Sequence, residues 1–145
     1  MAKVAFLGLG VMGFPMAGHL VTKGQHEVTV FNRSAAKAQA WAEKFGGRTA
    51  PTPQAAAAGQ DFVMSCVGND DDLREVTIGA NGAFAGMKAG AVFVDHTTAS
   101  AAVARELDAE SSKYGFKFID APVSGGQAGA EIGRASCRER VYSGV

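Results

Sequence analysis

The chain has 145 residues, 47% of them hydrophobic and 19% charged, with 14 Lys plus Arg against 14 Asp plus Glu. That length suits one domain with a real core, and the balanced charge gives no electrostatic footprint for nucleic acid or an acidic membrane surface. No apolar stretch is long enough to span a bilayer and no export leader precedes the first strand pattern. Cys66 and Cys137 lack metal-ligand spacing and suit a reducing compartment, so a cytoplasmic protein without a metal site is expected.

The first predicted strand, the apolar run Val4 to Leu7, ends in Gly8-Leu9-Gly10-Val11-Met12-Gly13, and a helical pattern follows at once. Strand, glycine turn and helix in that order form the phosphate-binding entrance of a doubly wound sheet. Gly8 permits the tight turn, Gly10 lets a pyrophosphate reach the backbone, and Gly13 lets the helix pack on the strand. The helix N-terminus then offers N–H groups and partial positive charge to the diphosphate. Pro15 is tolerated only near a first turn, which puts the helix start at about Val11 or Met12. Met12, Met16 and Leu20 recur at helical spacing as core packing.

Glu27 to Phe31 reads as the second strand. Ser34 caps a helix with the apolar stripe Ala38, Trp41, Ala42 and Phe45, ended by Gly46-Gly47. Its place on the stripe makes Trp41 a core residue. A short third strand is expected at Arg48 to Ala50, a short helix at Pro53 to Ala58, and a buried strand at Asp61 to Val67 that leaves Cys66 inert. Asn69-Asp-Asp-Asp72 opens the next helix, where carboxylates complement the dipole without a metal. A loop marked by Asn81-Gly82 and Gly90 leads to a strand at Ala91 to Val94. Thr98 or Ser100 caps the following helix, which carries Val103 and Leu107, and Phe116 to Ile119 is the last strand. Alternation of strand and helix implies an α/β, Rossmann-type doubly wound parallel sheet with right-handed crossovers.

Ligands of such sheets sit beyond the carboxyl ends of the strands. Four polar segments fall there: the glycine turn, Asn32-Arg-Ser34, Thr97-Thr98 and Ser124-Gly-Gly126. An NAD site ordinarily has an acid at the end of the second strand, about 20 residues past the glycines. This chain has Asn32, Arg33 and Ser34 instead. Arg33 can stack on adenine or pair with a 2′-phosphate through a forked, charge-assisted contact, Ser34 can donate to that phosphate, and Lys37 lies one turn along, so NADP is expected ahead of NAD. Ser124, Gly125 and Gly126 put a hydroxyl and two unobstructed amides in a row, either a carboxylate nest or an ordinary glycine turn. Ser124 lacks the partners of a hydrolase nucleophile, and His96 reads as a locally bonded strand-end residue.

Three of these segments resemble the β-hydroxyacid dehydrogenase family, typified by 3-hydroxyisobutyrate dehydrogenase and tartronate semialdehyde reductase, whose cofactor domain is of the 6-phosphogluconate dehydrogenase kind. Phe6-Leu-Gly-Leu-Gly-Val-Met-Gly-Phe-Pro-Met-Ala17 resembles its cofactor signature, including the Met-Gly-x-Pro-Met extension. Asp95-His-Thr-Thr-Ala-Ser100 and Asp120-Ala-Pro-Val-Ser-Gly-Gly126 resemble its next two blocks. The resemblance implies cofactor contacts at Gly8, Leu9, Gly10, Val11, Met12, Gly13, Asn32, Arg33, Ser34, Lys37, Val67 and Thr98. It implies substrate contacts at Thr98, Ser124, Gly125 and Gly126, and hydride transfer between NADP and a small 3-hydroxy acid or semialdehyde acid. The acid/base lysine of the family lies in a second, all-helical domain that also carries most of its oligomer contacts. No catalytic residue is therefore assigned, and the chain alone is expected to be inactive. An imine reductase, which shares the cofactor domain, and a non-catalytic NADP-binding module of a larger protein are the alternatives.

The resemblance covers residues 1 to 131. From Ile132 to Val145 the chain departs from it, and three of the seven arginines fall between Arg134 and Arg140. Glu131 to Tyr142 resembles the translation of a sequencing adapter joined to a truncated gene, so residues 132–145 are expected to be a non-native tail.

Overall fold

The computed structural model describes the backbone of residues 2–124, 136–137 and 140–141, and the side chains of residues 2–123. Six parallel strands form the body of the sheet: β1 (Lys3–Leu7), β2 (Glu27–Phe31), β3 (Arg48–Thr49), β4 (Phe62–Ser65), β5 (Val92–Asp95) and β6 (Lys117–Asp120). Their spatial order is β3-β2-β1-β4-β5-β6. The order reverses between β1 and β4, so the carboxyl ends of those two strands flank the crevice where such sheets bind ligands.

Helices cross between the strands. On one face lie α1 (Gly13–Thr22) and α2 (Ala35–Phe45), whose Ala17, Ala38 and Trp41 pack with Val4, Phe6, Val28 and Val30. On the other lie α3 (Pro53–Ala57), α4 (Asp70–Ile78), α5 (Ala83–Gly86) and α6 (Ala101–Tyr114), whose Ala56, Leu73, Phe84, Val103 and Leu107 pack with Ala5, Leu7, Val63 and Phe93. A central parallel strand is covered on both faces, which is why β1 is almost uniformly apolar.

Local chemistry sets most boundaries. Ser34, Thr52, Asn69 and Ser100 each cap a helix, their side-chain oxygens accepting the N–H three residues on. Gly46 and Gly115 end α2 and α6 in left-handed conformation, with φ of +82° and +81°. The cap of α6 is Ser100, which decides between the two residues expected there. Two differences from the sequence reading are local: α1 begins at Gly13, and the loop expected before β5 contains the short helix α5. The sequence Ala83-Phe-Ala-Gly86 is too short to show helical periodicity, but it buries Ala83 and Phe84.

Past β6, the backbone of β7 (Val123–Ser124) pairs antiparallel with β8 (Ser136–Cys137), and β9 (Arg140–Val141) pairs antiparallel with β6. Both β8 and β9 fall in the segment expected to be non-native.

Candidate dinucleotide-binding cleft

The three glycines of the first turn are held for different reasons. Gly8 has a φ of +98°, and a Cβ there would run into the carbonyl oxygen of Cys66 and lie 2.9 Å from the Val67 side chain. The β1–β4 crevice therefore closes only over glycine. A Cβ at Gly13 would run into the carbonyl oxygen of Gly8, so α1 is seated directly on the turn. A Cβ at Gly10 would meet nothing within 4 Å. Gly10 thus presents bare backbone to open space, as a cradle for a diphosphate requires. Behind it, Met12 caps α1 without a side-chain hydrogen bond, the Phe14 N–H donates to the Gly10 carbonyl at 3.0 Å, and Pro15 has no N–H to offer.

That open space is a cavity of about 590 Å³, within the range of small-molecule and cofactor sites. Residues 8–13 form one wall, with Phe31, Asn32 and Arg33 from the end of β2. Cys66, Val67, Gly68, Asp72 and Glu75 form the facing wall. Pro51 to Pro53, Ala80 and Asn81 close the far side, where the N–H of Gln54 donates to the carbonyl of Asn81 at 2.9 Å.

The expected cofactor residues play several roles in this cleft. The side chain of Leu9 is buried in the core, and its N–H donates to Asn32 Oδ1 at 2.9 Å. Asn32 Nδ2 also donates to the carbonyl of Ser34 at 3.2 Å, so Asn32 joins the end of β2 to the glycine turn. Val11 is 61% exposed at the mouth, and Met12 lines the cavity rather than the core expected of it. Val67 lines the opposite wall, and its N–H donates to Thr97 Oγ1 at 3.0 Å. Ser34 and Lys37 lie outside the cavity lining, and Ser34 Oγ accepts the Lys37 N–H at 3.4 Å.

The substrate residues are less assembled. Thr98 is exposed and outside the cavity lining, whereas Thr97 is buried beneath it. Ser124 is described in its backbone alone, as part of β7, and Gly125 and Gly126 lie outside the described residues.

Arg33 has company that its sequence neighbours do not announce. Its Nη2 lies 2.7 Å from Asp72 Oδ1 and 3.2 Å from Glu75 Oε2, and the paired carboxylates raise its pKa above the usual arginine value. Both acids come from α4, across the cleft. The remaining acids of that helix have other partners: Asp70 accepts the Ser100 N–H at 2.9 Å and Asp71 pairs with Arg74 at 3.2 Å. Spacing of three residues on one helix was the signal available for Asp72 and Glu75; what they would face depends on the crossover.

Beneath the cleft, Asp95 is fully buried. Its Oδ1 accepts the Ser65 hydroxyl at 2.8 Å and the Thr97 N–H at 2.9 Å, while its Oδ2 has no hydrogen-bond partner among the described residues. Burial, with Asp120 nearby, pushes its pKa up to about 6 against those stabilising bonds. Asp95 and Asp120 are register partners on β5 and β6. His96 Nδ1 lies 2.8 Å from the Ala121 carbonyl and burial lowers its pKa, in keeping with a locally bonded histidine. Burial raises the Cys66 thiol to about 11, which leaves it inert although it touches the cavity. Among the described residues no group of three or more His, Cys, Asp or Glu is placed to hold a metal, and no helix is long and apolar enough to cross a membrane.

A bare-backbone turn at the β1–β4 crevice, opening on a helix N-terminus, is the architecture of a nicotinamide dinucleotide site. The family model described as the NAD binding domain of 6-phosphogluconate dehydrogenase matches residues 3–143. The chain belongs to that family. Among family relatives, a protein named as an uncharacterized oxidoreductase of Shewanella frigidimarina is 65% identical over 133 residues, covering 92% of this chain and 45% of its own length. The solved 3-hydroxyisobutyrate dehydrogenase of Mycobacterium tuberculosis, described with L-serine, superposes with a TM-score of 0.86 at 32% identity, covering 96% of this chain and 46% of that one. A reductive aminase of Aspergillus terreus, solved with NADPH and ethyl levulinate, has a TM-score of 0.74 at 26% identity, covering 89% of this chain and 43% of that one. The chain thus spans a little under half the length of these proteins. The NAD(P)-binding domain and its Rossmann-type sheet follow from family and fold together, as the residues of the glycine turn implied.

Proposed function

We propose that the chain is the NADP-preferring half of an oxidoreductase acting on a small 3-hydroxy acid or semialdehyde acid. The observation that carries this reading is Arg33. It stands at the carboxyl end of β2 in the wall of the cavity, where an NAD-selective site ordinarily has an acid. A guanidinium there offers the 2′-phosphate two parallel, charge-assisted hydrogen bonds. Gly10 fits the diphosphate, because its missing Cβ leaves the cavity open beside the backbone. When bound, the nicotinamide gives or takes a hydride. The protein's task is to hold both reactants in line and to exclude water.

Thr98, Ser124, Gly125 and Gly126 would orient the carboxylate of the substrate, and Ser34 and Lys37 would support the 2′-phosphate from outside the cavity lining. The proton that accompanies the hydride would be handled by a lysine beyond this chain, so the 145 residues alone should bind NADPH and turn over nothing. The likeness to a reductive aminase solved with NADPH supports a second reading, imine reduction in the same cofactor cleft. The non-native origin of residues 132–145 is part of the proposal. A family-like reading frame running on from codon 131 in the parent DNA would uphold it, and independent genomic coverage of the tail would refute it.

The cofactor assignment is tested by titrating NADPH and NADH into the chain and its Arg33→Asp variant. NADPH should weaken at least about tenfold more than NADH, and equal losses would reject the assignment. Steady NADPH-dependent reduction of a semialdehyde acid by this chain would reject its predicted inactivity. For the second reading, cyclic imines and semialdehyde acids should be compared as substrates of the longer parent.

A further inference from the structure

The guanidinium of Arg33 is already engaged through one of its nitrogens. Asp72 and Glu75 stand one helical turn apart on α4, and both bond the same nitrogen, Nη2, at 2.7 and 3.2 Å. All three residues line the cavity that Gly10 opens into. Asp72 lies along the opposite wall itself, since a Cβ built at Gly68 would come within 3.2 Å of its Oδ2. The cluster of one guanidinium and two carboxylates carries a formal charge of −1. The other arginine of α4, Arg74, does not offset it, being engaged with Asp71 and with Glu106 at 3.2 and 2.9 Å.

We propose that Asp72 and Glu75 are specificity-determining residues of the cofactor site, competing with the 2′-phosphate of NADP for Arg33 across the cleft. The inference rests on the assignment of Arg33 made above. A phosphate monoester carries about −1.5 to −2 charges near neutral pH. At Arg33 it meets both carboxylates, and it must displace them from Nη2 or settle beside them on the remaining N–H donors of the guanidinium. A ribose with free 2′- and 3′-hydroxyls meets no such opposition, because hydroxyls donate to carboxylates. The acid missing from the end of β2 is in effect supplied from α4. The observed pairing therefore moderates the NADP preference that Arg33 alone would give, and it ties that preference to the approach of α4 toward β2.

The test uses the 145-residue chain, calorimetric titration, and four probes: NADPH, NADH, 2′,5′-ADP and 5′-AMP. The variants are Asp72→Asn with Glu75→Gln, Arg33→Ala, and all three together. Removing the two acid charges should tighten NADPH and 2′,5′-ADP about tenfold and leave NADH and 5′-AMP no tighter. The gain should vanish once Arg33 is alanine. An unchanged NADPH to NADH ratio in the acid variant overturns the proposal, and so does a gain that persists without Arg33. If Arg33→Ala weakens NADPH selectively while the acid variant does nothing, only the role of the acids falls. If Arg33→Ala weakens both dinucleotides equally, the assignment of Arg33 falls first and this proposal with it.

Discussion

Asn32 Oδ1 accepts the backbone N–H of Leu9 at 2.9 Å, so the side chain that ends β2 holds the glycine turn after β1 in shape. The bond is partly buried, and losing its acceptor would leave a backbone donor poorly paired, at about 1–3 kcal/mol. Asn32→Ala should lower the unfolding free energy by that order in urea titration. It should weaken NADPH and NADH by similar factors, because it loosens the turn shared by both. A selective loss of one dinucleotide would instead give Asn32 a direct role at the ribose.

Gly10 and Gly13 should respond oppositely to the same methyl group. Gly10→Ala adds a Cβ where nothing lies within 4 Å, so stability should stay within about 0.5 kcal/mol, as for an unconstrained surface position. Dinucleotide binding should fall at least about tenfold as the cradle fills. Gly13→Ala drives a Cβ into the Gly8 carbonyl and should cost about 1–3 kcal/mol of stability through overpacking. Thermal melts and NADPH titration of both variants check the pair.

Asp95 makes a stability prediction with a definite sign. Burial raises its pKa from 3.8 to about 6 in the folded chain, so between those values the folded state holds the proton more tightly than the unfolded state. The corresponding stability is fully present below about pH 4 and is lost as pH rises through about 6, with a total on the order of 3 kcal/mol. Other carboxylates contribute slopes of their own; Asp61 and Asp70, for example, have lowered values. The measurement is therefore the difference between wild type and Asp95→Asn in urea at pH 4 and pH 7. The wild type should lose stability relative to the variant as pH rises; a gain would contradict the assignment.

The Cys66 thiol, raised from 9.0 to about 11, should hold about a hundredfold less thiolate near neutral pH than an ordinary cysteine. In a Cys137→Ser background, its reaction with a disulfide reagent at pH 8 should be slower by about that factor. Bound NADPH should slow it further, because Cys66 lines the cleft. A rate matching a free thiol would contradict the burial.

Much of the fold was legible because its signals are local. Ser34, Gly46 and Asn69 mark helix ends by their own local chemistry, and the alternation of apolar strands with helices dictates a parallel sheet. The cleft was legible where backbone alone makes it, at Gly8, Gly10 and Gly13. Partners set by the crossovers were not. Nothing near Arg33 in the chain indicates that Asp72 and Glu75 reach it from α4, and nothing near Asp95 shows that Ser65 and Asp120 flank it. The helix α5 escaped because four residues contain barely one turn of any period.

Strand β1 alternates between two separate cores: Val4 and Phe6 enter the one beneath α1 and α2, Ala5 and Leu7 the one beneath α3 to α6. A slip of one residue would exchange their occupants, putting alanine where phenylalanine fits on one face and the reverse on the other. The strand is thus pinned from both sides, and Gly8 follows it directly. Where the glycine turn falls at the carboxyl end of the sheet is consequently settled several residues upstream by apolar volume, and a core substitution in β1 would displace the turn without altering one of its residues.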